Sequence, residues 1–225
     1  MPTASGGHVL FQEAEMIFRK IRTVAVMEKN HTVSCTALIT AAGRSTRMKQ
    51  FKQLMEINGV SMAERVVGLI REAGIRDIVM ITGFNENRLR EALKEYPIVF
   101  LHNEKFATTD MFESAKVGLR YLQGKAERVL FCPVDVPFFQ SETIRLEMKR
   151  TENVVYPSFH FHAGHPVLFD GEVIPSLLRY HGSGGMKGAF DSLSGATKYY
   201  LDVDDAGILR DLDEPEDLGK DPQIR

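Results

Sequence analysis

The chain has little cysteine and no surplus of basic charge. Only two cysteines, Cys35 and Cys132, occur among its 225 residues, and their spacing matches neither a disulfide framework nor a metal site. Lysine and arginine total 28 against 30 aspartates and glutamates, which gives a formal net charge of -2. A general nucleic-acid-binding protein needs an excess of positive charge on one face. We therefore expect reduced cysteines in the core and no nucleic-acid partner.

Long apolar runs are also missing. No stretch approaches the roughly 20 apolar residues that a membrane-spanning helix needs, and the first residues lack the basic, apolar and small-residue order of a signal peptide. We expect a soluble cytoplasmic protein without a membrane partner. With 44% hydrophobic and 26% charged residues, the composition is typical of a globular protein with one sizeable core.

From Ser34 onwards, apolar strand-like runs alternate with amphipathic helical segments. This order is typical of α/β proteins, in which helices cover both faces of a parallel sheet. We expect one domain over residues 34–225, and an N-terminal extension, partly helical or disordered, over residues 1–33. Ser61 and Glu64 form a capping box that predicts the start of a helix. Strands are expected at Cys35–Ala41, Asp77–Thr82, Pro97–Leu101, Arg128–Cys132, Val154–Tyr156, from Gly164, near Lys198–Val203 and near Ile208–Asp211.

The stretch Leu38–Met48 gives the first indication of chemistry. An apolar strand is followed there by a turn of small residues, and Arg44, Arg47 and Lys52 come just after the turn. Backbone N–H groups of such a turn can point at anionic oxygens, and the basic side chains supply positive charge. The pattern predicts a nucleoside triphosphate site. Gly43 is equally compatible with a tight connection from strand to helix, which would need no ligand.

Asp135 is the second candidate, in the sequence Pro133-Val134-Asp135-Val136-Pro137. The two prolines fix the backbone around one carboxylate at the carboxyl end of a strand, where open α/β sheets bind their ligands. Mg²⁺ prefers one or two carboxylates together with substrate phosphates and waters. The alternative is a turn residue that caps neighbouring backbone groups.

Asp213 is the candidate partner of Asp135 in a metal site. It also fits a capping box with Glu216, because Pro215 between them is a residue typical of the first helical turn. Spacing does not separate the capping role from the ligand role, and one carboxylate can fulfil both.

Several segments together resemble the MobA-like NTP transferase family, with the molybdenum cofactor cytidylyltransferases as the most similar branch. Leu38–Lys52 resembles the signature L-x-A-A-G-x-S-x-R-M-G-x-x-K, and Pro133–Pro137 resembles Pro-x-Asp-x-Pro. Further similarities to that branch lie in Asn103–Phe106 with Met111 and Ser114, in Gly164–Phe169 and in Asp213–Leu218. These segments run in order from about Ser34 almost to the last residue, a combination that is more specific than any one motif.

The resemblance implies a Rossmann-like three-layer αβα nucleotidyltransferase fold with a mostly parallel central sheet. It implies Mg²⁺-dependent transfer of a nucleotidyl group from a nucleoside triphosphate, with CTP favoured, to a phosphate acceptor, with molybdopterin favoured, and release of pyrophosphate. A molybdoenzyme or a chaperone is a further possible partner. The implied sites are catalytic Arg47, Lys52 and Asp135; nucleotide-binding Ala41, Ala42, Gly43, Arg44, Ser45, Arg47, Lys52, Thr82 and Gly83; acceptor-binding Ser114 and His165; and metal-binding Asp135 and Asp213.

Two departures from the family pattern leave the substrates open. Lys49 stands where the signature has glycine, and His181–Gly188 only loosely resembles the expected Gly-Asp-x-Gly-Ala-Arg segment. The alternatives are GTP with the same cofactor, or a sugar phosphate or choline phosphate as acceptor. An alternative of another class is a non-catalytic nucleotide-binding protein with an assembly or regulatory role.

Three histidines, His160, His162 and His165, lie close together in the sequence. Alternate residues of a strand share a face, and histidines placed in that way can hold a transition metal. The favoured interpretation is that His165 lines the acceptor pocket, whereas His160 and His162 are strand residues that face solvent.

Overall fold

A mostly parallel sheet forms the centre of the part of the chain that this computed structural model describes, residues 34–43 and 51–212. Its strands are β1 (Cys35–Thr40), β4 (Asp77–Thr82), β5 (Ile98–His102), β6 (Arg128–Pro133), β7 (Val154–Phe159), β8 (His162–Ala163), β9 (Val167–Asp170) and β10 (Lys198–Asp202), while β2 (Glu56–Ile57) and β3 (Val60–Ser61) form a separate small hairpin. The predictions for residues 1–33 lie outside the described residues.

The strand order is β10-β7-β9-β6-β1-β4-β5, with β8 paired to β7. β1 is parallel to both β4 and β6, β4 is parallel to β5, and β10 is parallel to β7. β9 runs antiparallel to both of its neighbours, β6 and β7. β1, β4 and β6 therefore have their carboxyl ends at one edge, and β9 begins at that same edge.

Helices cover both faces of this sheet. They are α1 (Met62–Glu72), α2 (Glu86–Ala92), α3 (Met111–Leu122), α4 (Ser141–Glu147), α5 (Ile174–Arg179) and α6 (Gly185–Asp191). Alternate residues of β1 separate the two cores: Ile39 packs in one with α1, α2 and α4, and Leu38 packs in the other with α3, α5 and α6. The predicted three-layer αβα fold with a mostly parallel sheet is confirmed.

A capping box fixes the start of α1, the helix that follows the predicted triphosphate loop. Ser61 Oγ accepts a hydrogen bond from Glu64 N at 3.3 Å, and Glu64 Oε2 accepts one from Ser61 N at 3.2 Å. The predicted capping box is confirmed, and it satisfies two backbone donors that the first turn of α1 leaves unpaired. Within the described ranges, no helix has both the length and the apolar character needed to cross a bilayer.

The prediction of a strand near Ile208–Asp211 is wrong. A short 3₁₀ helix occupies Ala206–Leu209 instead. Asp205 Oδ1 accepts a hydrogen bond from Gly207 N at 3.0 Å and bends the chain, and a Cβ on Gly207 would lie 2.0 Å from Phe138 O. Only a glycine can approach the backbone of Phe138 this closely. The segment packs there and does not form the pairing with the sheet that had been expected.

His160 is also misplaced by the sequence analysis. β7 ends at Phe159, and His160 and Phe161 form a tight turn with φ of 48° and 66°. His160 and His162 are both exposed, as expected, but His160 is not a strand residue. The three histidines therefore do not share one strand face.

One buried acid stands out in the core. Glu147, the last residue of α4, is fully buried, and neither of its carboxylate oxygens has a hydrogen-bond partner among the described residues. Burial raises the pKa of this carboxyl well above its ordinary value, although the nearby charge of Arg128 acts in the opposite direction. The two cysteines are buried as predicted, and burial raises the pKa of the Cys35 thiol to about 12.

Candidate functional site

A cleft of ≈ 620 Å³ opens at the carboxyl edge of the sheet. Thr40, the last residue of β1, and the following residues 41–43 line one part, and residues 163–165 before β9 line another. Because β6 lies between β1 and β9, Asp135 at the end of β6 lies between these two parts. The antiparallel direction of β9 brings residues that precede a strand to the edge where the parallel strands end.

Lys52 and Asp135, both predicted catalytic residues, meet in this cleft. Lys52 Nζ donates a hydrogen bond to Asp135 Oδ2 at 2.8 Å and another to Leu212 O at 3.3 Å. The lysine is buried, while the side chain of Asp135 keeps 26% of its surface exposed. The pair thus presents a positive group that can bind phosphate and a negative group that can bind a cation.

The backbone around Asp135 is held from several sides. Val134 N donates to Thr40 O at 3.1 Å, and Leu212 N donates to the carbonyl of Asp135 at 2.9 Å. Arg65 Nε donates to Pro137 O at 2.8 Å. These bonds, together with the two prolines, fix the direction of the carboxylate, which a preorganised binding site requires.

Gln53 is a site residue that the sequence analysis missed. Its side chain is 1% exposed, and Nε2 donates to Ala41 O at 3.2 Å and to Gly43 O at 2.9 Å. The amide therefore fixes the backbone of the small-residue turn. The available signal was an amide residue that lies between Lys52 and the apolar pair Leu54 and Met55.

His165, the predicted acceptor-binding residue, lines the cleft. Its backbone N donates to Ile208 O at 2.9 Å, and its ring contacts Phe131 edge-on with centroids 5.7 Å apart. Burial lowers the pKa of the imidazole to about 4, and the charge of Asp135 opposes this shift. The ring is therefore neutral near pH 7, and its buried Nδ1 has no hydrogen-bond partner among the described residues.

Ser114 also lines the cleft, but its hydroxyl is engaged within the protein. It accepts a hydrogen bond from Asn103 Nδ2 at 3.0 Å and donates one to Asp110 O at 3.1 Å. Asn103 Nδ2 also donates to Thr109 Oγ1 at 2.9 Å. In this structure Ser114 helps to fix the segment that leads into α3.

Thr82 and Gly83 lie behind the β1 loop and are not among the described residues that line the cleft. Thr82 is fully buried, and its hydroxyl donates to Glu86 Oε2 at 2.8 Å. A Cβ on Gly83 would lie 2.5 Å from the Cβ of Phe106 and 2.8 Å from Ala42 O. Gly83 thus permits close packing against the loop, whereas Ala41, Ala42 and Gly43 face the cleft directly.

Four predicted site residues, Arg44, Ser45, Arg47 and Asp213, lie outside the described residues, and their roles stay predictions. Among the described residues no group of three or more His, Cys, Asp or Glu side chains is placed to hold a metal ion. Asp110, Asp135 and Asp211 line the cleft, and Asp110 Oδ1 accepts a hydrogen bond from Glu113 N at the start of α3. Mg²⁺ prefers one or two carboxylates and takes its remaining ligands from phosphates and water, which Asp135 and Asp211 fit.

The chain is similar in sequence to known proteins. A family model described as MobA-like NTP transferase domain matches residues 37–197. Over 111 residues, 48% of this chain and 23% of the relative, the sequence is 29% identical to the bifunctional protein GlmU of Clostridioides difficile strain 630. The chain thus matches about a quarter of the length of that curated relative.

Two solved proteins show the same fold. Rv0371c from Mycobacterium tuberculosis H37Rv has a TM-score of 0.70 and 22% identity, with coverage of 83% of this chain and 97% of that chain; a complex of Rv0371c with manganese has a TM-score of 0.65. The 4-diphosphocytidyl-2C-methyl-D-erythritol synthase from Anaerococcus prevotii has a TM-score of 0.66 and 18% identity, with coverage of 84% and 95%.

Proposed function

Because this chain belongs to the MobA-like NTP transferase family, we propose that it transfers a nucleotidyl group from CTP to the terminal phosphate of molybdopterin and releases pyrophosphate. Membership of a nucleotidyltransferase family supports the type of reaction. The observation that carries the proposal is the Lys52–Asp135 pair, with Nζ and Oδ2 2.8 Å apart, between the small-residue loop and His165 in one cleft.

The reaction needs little covalent chemistry from the protein. An oxygen of the acceptor phosphate attacks the α-phosphorus, a new P–O bond forms, and the bond to the bridging oxygen breaks with its electron pair on pyrophosphate. The acceptor oxygen is already ionised, so no general base is required. The tasks of the chain are alignment of the two substrates and neutralisation of charge.

Specific residues fit these tasks. Lys52 supplies positive charge for the triphosphate and for the leaving pyrophosphate, with Arg47 as its proposed partner, and Gln53 holds the loop backbone that faces the phosphates. Asp135, with Asp213, is the proposed holder of Mg²⁺, which when bound would neutralise phosphate charge. The manganese complex of Rv0371c supports a divalent cation in this fold.

Different observations support the two proposed substrates, CTP and molybdopterin. CTP is favoured by the sequence resemblance to cytidylyltransferases and by the likeness to a synthase named for a diphosphocytidyl product. Molybdopterin is favoured by the resemblance of Gly164–Phe169, where His165 lines the cleft. The transfer reaction would be the same with GTP as the nucleotide, or with a sugar phosphate or choline phosphate as the acceptor. The test below distinguishes these alternatives.

Pyrophosphate release measures the reaction directly. Purified protein is incubated with Mg²⁺, each of the four common nucleoside triphosphates, and molybdopterin, glucose 1-phosphate or choline phosphate. We expect pyrophosphate chiefly with CTP and molybdopterin. Nucleotide binding without pyrophosphate from any pair would contradict a catalytic role and favour a nucleotide-binding assembly or regulatory protein.

The metal role of Asp135 is tested by substitution. Asp135→Asn should lower turnover about 100-fold or more, because one lost carboxylate leaves phosphate charge uncompensated. Asp204→Asn, at an exposed carboxylate outside the residues that line the cleft, is the matched control and should keep full activity. Circular dichroism checks that both variants fold. Full activity of Asp135→Asn would remove this residue from the site.

A further inference from the structure

One short segment contacts residues on two sides of the cleft. Residues 206–212, which we call the strap, follow β10, include the 3₁₀ helix and end beside Asp135. Ile208, Leu209 and Asp211 of the strap line the cleft. The strap is therefore part of the site and not only a connection that follows the sheet.

On the side of the Lys52–Asp135 pair, the strap makes two hydrogen bonds. Leu212 N donates to the carbonyl of Asp135 at 2.9 Å, and Leu212 O accepts from Lys52 Nζ at 3.3 Å. A Cβ on Gly207 would lie 2.0 Å from Phe138 O, so the strap also packs directly on the backbone that follows Asp135. A shift of the strap would therefore act on both members of the pair.

On the side of His165, the contact is made by Ile208. Its carbonyl oxygen accepts a hydrogen bond from His165 N at 2.9 Å. A Cβ on Gly164 would lie 2.3 Å from the same oxygen, so the two backbone segments are in direct contact. The position of His165 thus depends on the strap, as the position of the Lys52–Asp135 pair does.

Asp205, directly before the strap, connects it to the start of α4. This aspartate is only 3% exposed. Its Oδ2 accepts hydrogen bonds from Gln140 N at 2.7 Å and from Thr143 Oγ1 at 2.6 Å, and its Oδ1 accepts one from Gly207 N at 3.0 Å. Three donors compensate for the burial of the carboxylate. One side chain thus joins the first turn of a helix to the strap.

We propose that Asp205 is a positioning residue for nucleotidyl transfer. Through the strap it holds the Lys52–Asp135 pair and His165 in one fixed arrangement. The proposal rests on the proposed function, because it concerns the alignment of the two substrates. Asp205 is not among the described residues that line the cleft, so it acts only through the strap. A displacement of about 1 Å in such a site can lower the rate about 100-fold.

A pair of variants separates this role from simple capping of α4. Asp205→Asn keeps the shape of the side chain, but its NH₂ group then faces a donor on one side. Either the bond to Gln140 or the bond to Gly207 is lost, and the connection between α4 and the strap is broken. Thr143→Val removes a different donor to the same carboxylate and leaves both of those bonds in place.

Amide hydrogen exchange, resolved by residue in NMR spectra, measures the strap without turnover. In Asp205→Asn the amides of His165 and Leu212, whose hydrogen bonds involve the strap, should exchange about 10-fold faster or more. The amide of Asn103, just after β5 at the other end of the sheet, should stay within about 3-fold of its wild-type rate. Thr143→Val should leave all three amides within about 3-fold of the wild type.

Pyrophosphate release measures the effect on transfer, at a temperature at which circular dichroism shows that every variant is folded. Asp205→Asn should lower kcat about 10- to 100-fold and keep the KM for CTP within about 3-fold, because misplacement affects alignment more than nucleotide binding. Thr143→Val should keep kcat within about 3-fold of the wild type. Asp204→Asn, at the exposed neighbouring residue, should match the wild type.

Gly207→Ala displaces the strap by a different route and leaves the Asp205 side chain unchanged. The added Cβ would lie 2.0 Å from Phe138 O, so the backbone of the strap has to move. This variant should show the same faster exchange at His165 and Leu212 and the same fall in kcat. It provides the test independently if Asp205→Asn does not fold.

The failure of this proposal is distinguishable from that of the proposed function. Wild-type exchange at both strap amides in Asp205→Asn and Gly207→Ala would overturn it, as would an equal fall of kcat in Asp205→Asn and Thr143→Val. An unchanged kcat in Asp205→Asn, with pyrophosphate released by the wild type, would overturn the role of Asp205 and leave the function intact. No pyrophosphate from the wild type with any pair of substrates would contradict both.

Discussion

Glu147→Gln should remove a fall in stability with rising pH that the burial of the wild-type carboxyl causes. The wild-type carboxyl is fully buried, its oxygens have no partner among the described residues, and its pKa is raised well above the ordinary value of 4.5. Above pH 4.5 the unfolded chain releases the proton, whereas the folded chain retains it. The contribution of the Glu147 carboxyl to the free energy of unfolding is therefore fully present below pH 4.5. It is lost as the pH rises toward the pKa of the folded state.

The magnitude follows from linkage. One proton more in the folded than in the unfolded state lowers the free energy of unfolding by about 1.4 kcal/mol for each pH unit. Glutamine has nearly the same shape and does not titrate, so the variant lacks this slope. The advantage of the variant over the wild type should therefore grow by that amount per unit from pH 5 upwards, until the folded carboxyl ionises.

Urea unfolding at pH 5, 6, 7 and 8 measures the difference, because the other titrating groups are common to both proteins and cancel. Glu142→Gln is the control: this glutamate lies in the same helix, with a side chain 55% exposed and paired with Arg145. Its stability difference from the wild type should stay nearly constant with pH. A difference for Glu147→Gln that is equally constant would refute the argument that the buried carboxyl retains its proton.

Two further substitutions test the loop after β1. Gln53→Glu replaces the amide donor of two loop hydrogen bonds by a carboxylate that faces two carbonyl oxygens. It should raise the Kd for CTP about 10- to 100-fold in calorimetric titrations with Mg²⁺. An unchanged Kd would show that the loop does not need these hydrogen bonds. Gly83→Ala should lower the free energy of unfolding by about 1–3 kcal/mol because a Cβ there would lie 2.5 Å from a side-chain atom. Gly68→Ala, in a helix with no atom within 4 Å of the added Cβ, should instead raise it by about 0.5–1 kcal/mol, and similar effects of both alanines in urea unfolding would contradict the packing argument.

Most strands of the sheet could be predicted from the sequence, because apolar runs predict strands. The sequence also placed Asp135 at the carboxyl end of a strand, where open α/β sheets bind their ligands. The direct pairing of Lys52 with Asp135 was not predicted, and it depends on β1 and β6 being neighbours in the sheet.

Other features depend on contacts that periodicity does not encode. In the sequence, Gln53 does not differ from an ordinary polar residue. Only the fold shows that two loop carbonyls lie beside its amide. The strand expected near Ile208–Asp211 had suitable apolar residues, but the hydrogen bond from Gly207 to Asp205 and the packing of Gly207 on Phe138 prevailed. Tyr156 and Tyr200 are 44 positions apart, and only the parallel pairing of β7 with β10 makes them neighbours.

The reversed direction of β9 divides the site into two halves with separate structural origins. The proposed triphosphate half is built from segments that leave parallel strands β1 and β6, whereas His165, the proposed acceptor residue, belongs to the segment that enters β9. Insertions or substitutions between β7 and β9 can therefore reshape the acceptor side while the register of β1 and β6 stays intact. On the proposed function, such an arrangement allows the choice of acceptor to change without a change in the residues that bind the nucleotide.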